Sequence, residues 1–215
     1  MLGFFSFTEV TDPAGHAAYN EWHQLDHLPE QFSLDGIFFG QRWVCSPACR
    51  SARVAVSPLL EPCHYMTLYL MRDERVLPAF AELAQILRRE DRFFEARRAH
   101  LSGPFEVADR FVSPRVKVSA GVVPFRPSRG VYVVVGPPVD DGSLVAHDGV
   151  AGAWRFVDGA GTRTITVAFV DGDLLSVAVE LGQWCLDRPD GLEWAGPLEA
   201  VDPYRWDWFA RLTPP

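Results

Sequence analysis

The stretch Gly36-Ile37-Phe38-Phe39-Gly40-Gln41-Arg42-Trp43-Val44 is matched later in the chain by Gly149-Val150-Ala151-Gly152-Ala153-Trp154-Arg155-Phe156-Val157. An internal repeat decides the fold before any single element does. Three further segments match in the same order. Gly3-Phe4-Phe5-Ser6-Phe7 answers Gly130-Val131-Tyr132-Val133-Val134. His64-Tyr65-Met66-Thr67-Leu68-Tyr69-Leu70-Met71 answers Arg163-Thr164-Ile165-Thr166-Val167-Ala168-Phe169-Val170. Leu101-Ser102-Gly103-Pro104-Phe105-Glu106-Val107 answers Trp194-Ala195-Gly196-Pro197-Leu198-Glu199-Ala200, with Asp109 then opposite Asp202. Each segment is rich in aromatic and β-branched residues and bounded by Gly, Pro or Asp, so each predicts a strand.

Between the third and fourth strands of the first copy, Val76 to Arg98 places Leu77, Phe80, Leu83, Ala84 and Leu87 at helical spacing, and Leu174 to Leu186 does the same in the second copy. The Arg88-Arg89 and Arg97-Arg98 pairs read as exposed helix faces. His16 to Phe32 is a helix between the first two strands, with Asp12 as N-cap and Pro13 at its first position. The order β-α-β-β-α-β is the ferredoxin-like split unit, giving an α+β class. In the second copy the matching place holds Gly136-Pro137-Pro138-Val139-Asp140-Asp141-Gly142, where adjacent prolines forbid an ordinary helix and only Ser143 to Ala146 is left for a turn. Residues 1–118 form the first repeat, 119–129 a linker, and 130–215 a second repeat lacking its first helix. Each sheet has one bare apolar face, so the two are expected to pack sheet to sheet as one pseudo-symmetric α+β barrel.

The 28 acidic and 20 basic side chains give a formal net charge of -8, which argues against nucleic acid. No apolar run approaches a membrane span and no secretory leader is read at the N-terminus, so a cytoplasmic protein with reduced thiols is expected. Cys45, Cys49, Cys63 and Cys185 are then free; Cys45-x-x-x-Cys49 lacks a second close ligand pair unless Cys63-His64 supplies it. Lys117, the only lysine, lies near the linker, no Gly-x-Ser-x-Gly or phosphate loop occurs, and Cys63 reads as a buried inert thiol.

Chemistry concentrates in His16-Ala-Ala-Tyr-Asn-Glu-Trp-His-Gln-Leu-Asp-His-Leu-Pro-Glu-Gln-Phe32. At about 100° per residue Ala18, Trp22, Leu25 and Phe32 share the face expected on the sheet, with Tyr19, His23, Asp26, His27 and Glu30 as a polar arc beside it. Pro29 should bend or break the helix. This arc fits a solvated face, acid/base catalysis by His27 with His23, Asp26 or Glu30 orienting it and raising its pKa, or a metal held by His23, His27, Glu30 and His64. Ligation of haem by one of these histidines is the remaining alternative.

The run Tyr19-Asn20-Glu21-Trp22-His23-x-x-x-His27-Leu28-Pro29-Glu30, followed by Asp35-Gly36-Ile37 and Gly40-Gln41-Arg42-Trp43, resembles the dimeric α+β barrel superfamily, most closely its EthD-like members in a tandem, fused form. The motif spans the first helix and second strand, while the fold-level likeness covers nearly the whole chain. The resemblance implies an apolar, often aromatic ligand between sheet and helices, and proton transfer by the histidine at position 27. It implies no bound organic cofactor; a homodimer is a further possible assembly. Tyr19 would hydrogen-bond substrate, and Phe5, Phe7, Phe38, Trp43, Tyr65 and Tyr69 would line the cavity. The function expected is a cyclase, isomerase or cofactor-free oxygenase acting on such a molecule. A non-catalytic ligand-binding or partner protein is the alternative, and a metal or haem protein the third reading. The C-terminal run Tyr204 to Phe209 is expected to be an aromatic plug or helix face.

Overall fold

The computed structural model describes residues 1–138, 142–187 and 191–202; the run Tyr204 to Phe209 lies outside them. The first half runs β1 (Leu2–Val10), α1 (His16–Glu21), a π-helical stretch (Trp22–His27), α2 (Leu28–Gln31), β2 (Ile37–Val44), α3 (Pro47–Ser51), β3 (Ala55–Val56), β4 (Tyr65–Met71), α4 (Leu77–Arg89) and β5 (Arg97–Val112). A 3-10 helix, Ala120–Phe125, leads to β6 (Gly130–Gly136), followed by β7 (Val150–Val157), β8 (Thr164–Val170), α5 (Leu174–Leu186) and β9 (Trp194–Ala200). Between β6 and β7 the described residues carry only a 3-10 helix, Gly142–Ala146, as the two prolines require.

All strand pairings among these residues are antiparallel, in the order β2-β4-β1-β5-β7-β8-β6-β9-β3. Each half repeats the ferredoxin-like strand order, and β5–β7 and β2–β9 join the halves into a closed α+β barrel. Closure leaves only the short β3 as an addition to β9. Inward residues meet across the ring: Phe7 lies 5.9 Å from Trp194 although β1 and β9 are not neighbours, and Phe5 lies 4.9 Å from Phe156. At one mouth Trp154 donates its indole N–H to the Ala120 carbonyl at 2.7 Å, so the segment between the halves also covers the core.

The repeat is visible at single residues. Gly36 and Gly149, which open β2 and β7, both have positive φ (99° and 81°). A Cβ at either would meet a valine of the following helical region, Val76 at 2.6 Å or Val177 at 2.7 Å. Both strands bulge just after, at Phe38 and Ala151. Gly149→Ala is therefore expected to cost about 2 kcal/mol in chemical denaturation, from left-handed backbone and overpacking together. Gly159→Ala, with nothing within 4 Å of its Cβ, should be near neutral.

Three expectations change. Leu2 pairs with Met71 as Gly130 pairs with Val170, so Leu2, not Gly3, is the counterpart of Gly130. The run Gly130–Gly136 is buried on both faces, so its sequence holds no alternation to set the phase. The second helix ends at Arg89, and Arg97-Arg98 belong to β5 rather than to a helix face. The first helix continues past Pro29 to Gln31, and its irregularity falls earlier, at Trp22–His27. There Leu28 N–H reaches back to the His23 carbonyl, five residues away. Such a wide turn accommodates a proline that lacks a donor and would crowd the carbonyl four residues before it.

Candidate active site

The first helix lies on the sheet by its polar face. His16, Tyr19, Asn20, His23, His27 and Gln31 are buried, whereas Leu25 and Phe32 are 41% and 44% exposed and Ala18 also faces outward. This reverses the expected orientation, and the strands beneath show why. Ser6 and Thr8 on β1, Arg42 on β2, and Tyr65, Thr67 and Tyr69 on β4 alternate with the barrel-filling residues and form a polar floor. Buried polar groups need partners, and the two polar surfaces supply them to each other.

Those partners form a chain. Arg42 Nη2 donates to Asn20 Oδ1 at 3.1 Å, Asn20 Nδ2 donates to the Tyr65 hydroxyl at 2.8 Å, and that hydroxyl lies 2.8 Å from His16 Nδ1. A hydroxyl that accepts from Asn20 has its own proton left for His16, which fits a neutral imidazole there. The Arg42 guanidinium also lies over the Tyr19 and Tyr65 rings at 4.9 and 5.2 Å.

Beside this network, between the sheet and the helices, is a cavity of about 220 Å³. Phe4 and Ser6 of β1, Thr67 and Tyr69 of β4, and Arg97, Ala99 and Ser102 of β5 line the sheet side. His23, His27 and Gln31 close it from the first helix, and Phe80, Ala84 and Arg88 from α4, with Phe93 between α4 and β5. The two imidazoles meet edge to face at 5.0 Å, and Trp22 stacks on His27 at 4.5 Å. Gln31 Nε2 donates to the His27 carbonyl at 3.1 Å and stands 3.5 Å from His27 Nδ1. Tyr19 OH, His23 Nδ1, Arg42 Nε, Thr67 Oγ1, Tyr69 OH and Arg97 Nε are all buried without a hydrogen-bond partner among the described residues. In the second half Tyr132 of β6 packs towards Gly182 and Cys185 of α5.

The sequence candidates are thus divided. His23, His27 and Tyr69 line the cavity; Tyr19 and Tyr65 stand in the adjoining network. Phe5, Phe7 and Trp43 point into the barrel core instead, and Phe38, 41% exposed at its bulge, stacks with Phe125 at 6.4 Å. Side-chain period two sends neighbouring strand positions to opposite faces, so the proposed aromatic set was never on one wall. Asp26 is exposed and Glu30 pairs with Arg92, so neither carboxylate orients His27. Glu30 is thereby also lost as a metal ligand, and His64 Nδ1 accepts from Val10 N–H at 3.2 Å, beside His16 rather than His27. Among the described residues no three His, Cys, Asp or Glu side chains converge on a point. Arg42, Arg88, Arg97, Gln31 and Phe93 are the site residues missed; the period-two polar positions of the strands were the signal for Arg42.

Burial dominates the electrostatics. It lowers His27 to about 3, with Arg97, Arg42 and Arg88 adding to the effect, and holds His23 well below the ordinary imidazole value, with Arg42 and His27 contributing. Both rings are neutral at pH 7, contrary to the carboxylate-raised pKa expected for His27. Burial lifts the Cys63 thiol to about 12 and Cys45 to about 11, which leaves them unreactive packing groups.

No family model and no curated protein matches the chain. Among solved structures, a provisionally named monooxygenase from Lactobacillus acidophilus NCFM is similar at 8% identity, with 94% of this chain and 95% of that one covered and a TM-score of 0.45. A second, from Fusobacterium nucleatum subsp. nucleatum, is 8% identical, with 94% and 92% covered and a TM-score of 0.49. No helix among the described residues is long and apolar enough to cross a membrane.

Proposed function

We propose that the protein is a small-molecule enzyme that moves a proton on an apolar or aromatic substrate held in the cavity between β1, β4, β5 and the helices. The observation that carries this reading is the pair of buried imidazoles, His23 and His27, in a cavity wall that also bears the guanidiniums of Arg88 and Arg97. A neutral imidazole has a lone pair to accept a proton from a C–H or O–H. The enolate or phenolate formed beside it offsets the arginines' charge, and so raises the basicity that burial and those arginines otherwise lower. His27 is the base, with Trp22 stacking on its ring and the Gln31 amide bonded to its backbone carbonyl. Isomerisation, cyclisation, or reaction of the carbanion with dioxygen would each follow from that first step.

The test uses 2-tetralone, a two-ring ketone with an acidic benzylic C–H, and follows deuterium incorporation from D₂O by NMR. Exchange well above the buffer rate, lost in His27→Ala, is the expected outcome. Exchange that is no faster with protein, or that survives unchanged in His27→Ala, sinks the reading and leaves the non-catalytic binding protein as the better one.

A further inference from the structure

Charge around the cavity does not balance. Acidic side chains outnumber basic ones by 28 to 20, and elsewhere arginines find them: Arg50 and Arg53 pair with Glu61, and Arg163 with Glu193. Arg42, Arg88 and Arg97 have no carboxylate partner among the described residues. Arg42 is 1% exposed and its guanidinium donates only to the neutral amide oxygens of Asn20 and Gln24. Arg88 and Arg97 line the cavity, their guanidiniums over the Phe93 ring at 4.0 and 4.5 Å. In the same wall Thr67 Oγ1, Tyr69 OH and His23 Nδ1 have no partners, on residues 1%, 3% and 3% exposed.

Of the three arginines, Arg42 is buried and the Nε of half-buried Arg97 is shielded without a partner among the described residues, while Arg88 is exposed. Shielded cationic groups without a counter-charge are costly, and unpaired buried hydroxyls add to that cost. This cost exists before any reaction begins, so the group that relieves it is an anion present in the ligand's ground state, not only one that develops during proton transfer. The size is equally informative. At about 220 Å³ the cavity lies below the ~300–1,000 Å³ range of pockets for drug-sized ligands, and Phe4, Phe80 and Phe93 give it aromatic walls. Planar guanidiniums match a planar carboxylate.

We propose that the cavity takes a small aromatic carboxylate, a one- or two-ring acid. Its carboxylate sits against Arg97 and Arg88, with Thr67 and Tyr69 donating their hydroxyl protons, and its ring lies among the three phenylalanines. Arg42 contributes long-range attraction from beneath. This rests on the cavity being the substrate site, and is independent of what His27 does there.

The probes are 2-naphthoate and 2-naphthamide, which share a shape and differ in charge, titrated calorimetrically. The acid is expected to bind at least about tenfold more tightly than the amide, which corresponds to about 1.4 kcal/mol. In Arg97→Gln the acid should fall to the affinity of the amide, while the amide is unaffected. Arg88→Gln, at an exposed position, should lower the same ratio and serves if Arg97→Gln does not fold. Equal affinities in the wild type, or an unchanged ratio in both folded variants, would overturn the proposal. If neither probe binds, the cavity fails as a substrate site and both readings fall. Absence of protein-dependent deuterium exchange together with an intact preference for the acid over the amide would remove the proton-transfer reading alone and leave the anion preference standing.

Discussion

Acidification from pH 7 to pH 5 is expected to lower the unfolding free energy by about 4 kcal/mol from His27 and His64 alone. Their folded values, about 3 and about 4, lie below the ordinary 6.5, chiefly through burial. In each case the neutral ring is the form that the fold accommodates. Above roughly pH 7 both the folded and unfolded chains carry these rings unprotonated, and no pH dependence arises from them. Below 6.5 the unfolded chain binds protons that the folded chain refuses, so stability falls as pH falls, at up to about 1.4 kcal/mol per unit for each group. By pH 5 that amounts to about 2 kcal/mol per ring, whether the folded value is 3 or 4. His23 and His16 are shifted in the same direction and steepen the loss. Asp73, held to about 2 by Arg75, stays ionised throughout this window and does not contribute. Urea denaturation at the two pH values, with proton uptake on unfolding measured by calorimetry, checks the size and the source. A flat profile between pH 7 and pH 5 would mean that these rings are solvated, and the cavity wall would have to be redrawn.

The second large effect is on proton transfer. Removing a positioned general base costs about 10²- to 10⁴-fold in rate, and His27→Ala is expected to lose that much of the protein-dependent exchange of 2-tetralone. His23→Ala should lose less, because among the described residues His23 Nδ1 has no hydrogen-bond partner to hold the ring towards a ligand. Gln31→Ala removes a buried amide that bonds the His27 carbonyl and lines the cavity, and should give an intermediate loss of rate together with some loss of stability. Equal effects for His23 and His27 would contradict the assignment of the base. Thermal melting of each variant separates lost chemistry from lost fold. In His27→Ala the stacking partner of Trp22 also goes, so His27→Gln provides the comparison that retains bulk.

Why the aromatic wall was misassigned is a matter of parity. Phe5 and Phe7 are as aromatic as Phe4, and only the sheet's curvature decides which parity faces inward. The same ignorance of phase displaced the match between β1 and β6 by one residue. On the first helix the error was of a different kind. Polarity was equated with exposure, yet a polar face buries well when the surface beneath is equally polar, as Tyr65, Thr67 and Arg42 make it. In sequence the Arg97-Arg98 pair resembles Arg88-Arg89 and suggests a further exposed helix face within Val76 to Arg98. Asp91 and its positive φ of 57° end that continuation, and the strand begins at Arg97.

The repeated strand order, the missing helix at the double proline and the concentration of histidines in one segment of the first half were all legible in the amino-acid order. Those features are written in local composition and spacing: prolines forbid donors, β-branched runs favour strands, and repeated segments impose repeated pairings. The closed fold sets which face of that segment is buried, which aromatics share a wall, and that Arg88 and Arg97 meet at the cavity without an acidic partner among the described residues. Such relations are between residues far apart in the chain, and they come into being when the barrel closes and excludes water from the space between sheet and helices.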